Sequence, residues 1–139
     1  MVTGRAWQTQ GVIETGVDEV SLSVPAHIAY ARIVRRAAAS LAVNQGMSFG
    51  EIDDLRSVVD DAVGLLLEID GGSDEDTLDF DFMLSAGKFE IEAKRSGEGV
   101  MRRELIDSFV HDFTTRIDDF DVDGDEMWFR IRKSPAGDA

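Results

Sequence analysis

The sequence predicts an α+β fold, a two-layer sandwich with a mostly antiparallel sheet and three helices on one face. Three observations lead there. Some segments alternate apolar and polar residues, as strands with one wet face do. Others repeat apolar residues at steps of three and four, the signature of one helix side. The strand-like runs are joined by turns too short for a parallel crossover. The expected order is β-α-α-β-β-α-β-β, with no internal repeat.

Residues 1–18 mix Gly, Thr and Gln with little periodicity and read as a loose arm. The domain proper is expected over 19–133, with 134–139 as a frayed tail. Val20, Leu22 and Val24 alternate with Ser21 and Ser23 as a half-buried strand. Pro25 ends it and can open the next helix. From Ala26 to Asn44, Ile28, Ala31, Ile33, Ala37 and Leu41 recur at helical spacing, and Gly46 is the natural stop. Ser48-Phe49-Gly50-Glu51 has the form of a capping box. A second helix follows, with Ile52, Leu55, Val59, Ala62 and Leu66 on one face.

The stretch from Asp70 to Asp76 is an acidic, glycine-containing loop. Beyond it, Leu78, Phe80, Phe82 and Leu84 alternate with Asp79, Asp81 and Met83. A turn over 85–88 leads into Phe89, Ile91 and Ala93, giving a strand hairpin. Val100 to Ile117 returns to helical spacing through Leu105, Ile106, Phe109, Val110 and Phe113. Phe120 to Val122, a turn at Asp123-Gly124, and Met127 to Lys133 close the chain as a last strand pair.

The chain has 139 residues, 43% hydrophobic and 30% charged, a globular composition sufficient for one core. No apolar run reaches the ~18–20 residues of a membrane span. The first residues have no signal-peptide core, so a cytoplasmic protein fits. The absence of cysteine excludes disulfides, thiolate zinc sites and a cysteine nucleophile. Twenty-eight acids against fourteen bases leave a net charge of −14, which disfavours direct nucleic-acid binding. A protein partner bearing a basic patch is easier to accommodate.

Leu22-Ser23-Val24-Pro25-Ala26, the arginine-bearing first helix, and Leu55-Arg56-Ser57-Val58-Val59-Asp60-Asp61-Ala62 together carry a family resemblance. They resemble the anti-sigma-factor serine kinases among the GHKL (Bergerat, histidine-kinase-like) ATPases. Members of that family read L-S-V-P-A and then L-R-x-A-V-D-E-A-x-x-N in these places. The resemblance spans roughly residues 20–133 and implies the histidine-kinase-like ATPase fold. It also implies a site for ATP and Mg²⁺ built from three sequence boxes.

In the first box, a Glu and an Asn four residues apart share a helix face. Asp61 matches the Glu, one methylene shorter, and Leu65 matches the Asn but has no oxygen for a hard cation. In the second box, D-x-G-x-G, the Asp accepts from the adenine amino group. The matching residues are Arg95-Ser96-Gly97-Glu98-Gly99. Arg95 replaces that acceptor with a donor-only cation, while Gly97 and Gly99 retain the turn. The third box is a glycine-rich lid, and the segment from Val100 to Leu105 has no glycine. Asp61, Leu65, Arg95, Gly97 and Gly99 therefore mark a vestigial nucleotide pocket, with Asp61 at the base position. Taken one at a time, Asp61 reads as a solvated helix acid, Leu65 as core, and the two glycines as plain turn residues.

Arg32, Arg35 and Arg36 form a basic cluster on the first helix of an acidic chain. Singly, each reads as a helix-surface arginine paired with nearby acids. Together they mark a partner surface, which the resemblance places against a sigma factor or an anti-anti-sigma protein. Asp119, Asp121, Asp123 and Gly124 imitate the start of a calcium loop, but its twelfth place holds Arg130 instead of Glu. A hairpin turn with exposed acids is the favoured reading. His27 and His111 have no spacing that suggests a metal site or triad, and common hydrolase motifs are absent.

The expectation is a regulatory binding protein similar to anti-sigma factors, with no cofactor, no metal, and no membrane or direct nucleic-acid contact. The resemblance adds a homodimer. The alternative is an active serine kinase that phosphorylates an anti-anti-sigma partner with ATP and Mg²⁺.

Overall fold

The computed structural model describes residues 17–135. The arm and tail expected at the two ends lie largely outside these residues. Eleven elements follow one another. They are β1 (Asp18–Pro25), a 3₁₀ turn (Ile28–Tyr30), α1 (Ala31–Asn44), α2 (Phe49–Leu67), β2 (Ile69–Gly71), β3 (Thr77–Ser85), β4 (Lys88–Arg95), β5 (Gly99–Met101), α3 (Arg103–Phe113), β6 (Asp119–Asp123) and β7 (Trp128–Lys133). The main sheet has the order β1-β3-β4-β7-β6, and every pairing in it is antiparallel. β2 and β5 form a separate two-stranded ribbon.

The period-two pattern sets the layers. Leu78, Phe80, Phe82 and Leu84 of β3 and Phe89, Ile91 and Ala93 of β4 are buried together with Phe129 and Ile131 of β7. Each large side chain removed from water contributes about 1.5–3 kcal/mol. Phe82 and Phe89 meet edge-on, with ring centroids 6.4 Å apart. Alternate residues form charged ladders on the other face. Ser21 and Ser23 of β1 donate to Asp81 (2.7 Å) and Asp79 (2.6 Å) on β3.

Helix α2 starts where its capping box predicts. The Ser48 hydroxyl accepts from the Glu51 amide at 3.2 Å, and Glu51 accepts from the Ser48 amide at 2.8 Å. Its buried face carries Leu55, Val58, Val59, Ala62, Val63, Leu65 and Leu66.

Two elements differ from the sequence reading. The helix expected from Val100 to Ile117 covers only Arg103–Phe113. Gly99–Met101 instead pairs with Ile69–Gly71, so part of the expected acidic loop is strand. The apolar spacing of Val100, Leu105 and Ile106 mimics a helix. Backbone pairing with β2 and the Met101 amide bond to the Gly124 carbonyl (2.9 Å) hold residues 99–101 extended. Ile117 still reaches the core, from the turn after α3.

The first helix also differs. Residues 28–30 form a 3₁₀ turn, and the buried stripe of α1 is Ala31, Val34, Ala38 and Ala42. Ile28 is 78% exposed and Ile33 is 47% exposed. α1 is apolar on several sides, so periodicity alone does not choose the packed face. Alanines on the buried side let α1 lie close to α2.

Candidate functional site

The five expected pocket positions do not surround one cavity. Asp61 and Leu65 line a cleft of about 310 Å³ between the 3₁₀ turn, the start of α1, α2 and α3. Arg95, Gly97 and Gly99 line a separate depression of about 300 Å³, with Asp125, Glu126 and Met127. Leu65 is buried, 2% exposed, and its side chain offers a ligand only hydrocarbon.

Arg95 accounts for the separation. Its side chain turns inward from the end of β4 and is only 6% exposed. Nε donates to Asp76 Oδ2 at 2.9 Å, Nη1 to the Leu66 carbonyl at 2.8 Å, and Nη2 to the Ser73 carbonyl at 3.2 Å. Leu66 lies in the last turn of α2, where carbonyls have no partner within the helix. The guanidinium thus caps α2 at the end where a positive charge is favourable. Each of the three guanidinium nitrogens of Arg95 thus donates to a protein partner.

Asp76 holds the other half of this plug. The Ser73 amide donates to its Oδ2 at 3.1 Å. That bond, followed by Arg95, holds its carboxyl below the usual carboxylate range. Gly97 has φ of +89°, and a Cβ there would lie 2.2 Å from Asp76 Oδ1. At Gly99 a Cβ would come within 2.9 Å of the Asp70 carbonyl. The glycine spacing is explained by close approach of Asp76 and of the β2–β5 ribbon. Asp76 carries no motif signal. A carboxylate buried against a buried arginine becomes evident only once β3 and β4 pair.

Asp61 is exposed at the rim of the first cleft. Partial desolvation pushes its carboxyl up, and the neighbouring Asp60 and Asp112 push it further. Asp60 and Glu68 share the rim, while Val63, Leu65 and Phe109 supply apolar wall.

Arg32, Arg35 and Arg36 line a surface depression of about 400 Å³, and Arg56 of α2 joins them. Arg35 pairs with Asp60 through Nη1 and Oδ1 at 2.5 Å. Arg32, Arg36 and Arg56 make no ion pair among the described residues. The sequence reading missed Arg56 because it lies on the other helix, 20 residues beyond Arg36.

The calcium-like acids are engaged elsewhere. Asp119 pairs with Arg132 at 2.9 Å and Asp121 with Arg130, each directly across the β6–β7 ladder. Asp123 Oδ1 accepts from the amides of Asp125 and Glu126 in the following turn. His111 lies beside Asp112 on the exposed side of α3.

With this geometry in place, solved structures can be set beside the chain. The crystal structure of the RsbU and RsbW domains of Rv1364c from Mycobacterium tuberculosis is similar, with a TM-score of 0.59 at 13% identity. The likeness covers 85% of this chain and 32% of that one. What the two share is a fold. No family model matches the sequence, and no curated protein matches it. Among the described residues no helix is long and apolar enough to cross a membrane.

Proposed function

We propose that this chain is an anti-sigma-factor-like regulatory protein that binds a sigma factor, an anti-anti-sigma partner, or both, with ATP binding weak or lost. The observation that carries the reading is the buried Arg95–Asp76 pair, in which a guanidinium bonded to protein through all three nitrogens takes the place the resemblance gives to the adenine acceptor. Leu65 in place of a magnesium-binding Asn supports it, as does the fold likeness to a chain with an RsbW domain. Partner capture would then proceed by surface complementarity, with the Arg32, Arg35, Arg36 and Arg56 patch as the contact.

Titration calorimetry with ATP and ADP, with and without Mg²⁺, should give no heat of binding. Micromolar Mg²⁺-dependent ATP binding would overturn the loss of nucleotide. Arg32→Glu with Arg35→Glu should abolish partner capture in pull-downs and leave the fold intact. Unchanged capture would remove the patch from the proposal.

One observation favours the second reading, an active serine kinase acting on an anti-anti-sigma protein. Asp61 sits in a cleft with its carboxyl pushed up, as a general base often is. The obvious rescue, Leu65→Asn with Arg95→Asp, would press a new carboxylate against Asp76. A clean test therefore replaces Asp76 with Asn in the same protein and asks whether ATP binding returns.

A further inference from the structure

The cleft beside Asp61 combines three features that partner-free packing does not require. Its rim is acidic: Asp60, Asp61 and Glu68 line it, and no Lys or Arg does. Asp60 is shared with Arg35, whereas Asp61 and Glu68 make no ion pair among the described residues. Its accessible apolar surface comes from Ile28, Leu67 and Leu105, beside the buried Val63, Leu65 and Phe109. Its third feature is Gly64, in the last turn of α2.

In a helix interior glycine is roughly 0.8–1.0 kcal/mol less favourable than alanine, and a last-turn position carries a smaller share of that. Nothing in the packing requires it. Its φ is ordinary, and a Cβ would meet only Glu68 Oε2, at 3.8 Å. The missing side chain keeps the cleft open between Asp61 and Glu68. At about 310 Å³ it is at the lower end of the ~300–1,000 Å³ typical of ligand sites, room for side chains of a docking segment.

We propose that this cleft is a docking groove for a basic amphipathic helix of a protein partner, its apolar residues against Ile28, Leu67 and Leu105 and its Lys or Arg heads at Asp61 and Glu68. Charge complementarity selects that occupant. A cation beside Asp61 is rewarded because the site already holds excess negative potential from Asp60 and Asp112. The mode is helix-in-groove recognition. It deepens the scaffold reading, giving the partner a basic contact here in addition to an acidic one at the arginine patch.

The test uses the full chain and a synthetic Leu/Lys amphipathic helix, with a scrambled peptide of equal charge as control, followed by NMR chemical-shift mapping. Shifts should concentrate in residues 60–68 and 105–109, and the scrambled peptide should bind at least about tenfold more weakly. Asp61→Asn with Glu68→Gln should weaken binding about tenfold, while Asp81→Asn with Glu90→Gln, an equal charge change on the sheet face, should stay within about twofold.

Gly64→Met should raise the melting temperature while weakening the peptide, which a purely structural glycine would not do. Equal effects from both charge pairs, or shifts spread over the outer sheet face, would sink the groove as an unspecific attraction to an acidic protein. The arginine reading is tested separately. Arg32→Glu with Arg36→Glu, which spares the Arg35–Asp60 pair, should leave peptide binding unchanged, so either proposal can fail while the other stands.

Discussion

Two Arg–Asp pairs bracket helix α2, and they do different work. Arg95–Asp76 lies at its C-terminal end with side chains 6% and 8% exposed. Arg35–Asp60 lies midway along it with side chains 31% and 52% exposed. The residue types are the same and the environments are opposite. In the buried pair both Nη atoms of Arg95 donate to carbonyls, and removing either member strands a charge away from water. In the exposed pair water takes over at once. The first pair ties the end of α2 to the end of β4, and the second lies between the basic patch and the acidic cleft.

The largest effect should come from splitting the buried pair. Asp76→Ala should lower the thermal midpoint by roughly 10 °C or more in circular dichroism melts. Arg95→Met combined with Asp76→Leu should recover much of that loss. If the double change is as damaging as the single one, the pair's other bonds, to Leu66 and Ser73, matter more than its charges. Next in size, Gly97→Ala sets a Cβ against Asp76 and strains a left-handed backbone, an expected loss of about 2 kcal/mol by urea denaturation. In an Asp76→Ala background that penalty should shrink, because the clash disappears while the φ strain remains.

The two aspartates with shifted carboxyls should respond to pH with opposite sign. Asp76 is held low, so the unfolded chain binds more protons as pH falls. Its stabilisation is present above about pH 4 and is lost on acidification through the lower folded value. Asp61 is pushed up, so its contribution is present below about pH 4 and is lost as pH rises through the folded value. Stability profiles of Asp76→Asn and Asp61→Asn should therefore diverge from the parent in opposite directions, Asp76→Asn flattening the acid limb. The smallest effect is Asp60→Asn, below about 1 kcal/mol and fading further in salt. A large effect there would mean that the exposed pair is coupled to the cleft.

Much of the fold was legible in local patterns. The β3–β4 hairpin, the capping box at Ser48 and the β6–β7 pair follow from residues within a few positions of each other. The failures are instructive. The spacing around Val100 and Met101 fits a helix, yet pairing with Ile69–Gly71 decides their conformation. On α1, Ile33, Leu41 and Val43 lie off the stripe of Ala31, Val34, Ala38 and Ala42, so only contact with α2 singles out the buried side. At the site, the departure of Leu65 and Arg95 from the resembled pattern was legible in the sequence. The buried partners of Arg95 were not.

The sequence by itself determined the two-layer architecture, the start of α2 and the charge of the surface, because these depend on periodicity, on caps and on composition. Only the tertiary structure decided that Arg95 turns inward onto Asp76, 19 residues away, that Arg56 joins the arginines of α1, and that Asp61 and Arg95 face separate clefts. These outcomes depend on which side chains meet across strands and helices, and on how much water they lose when they do.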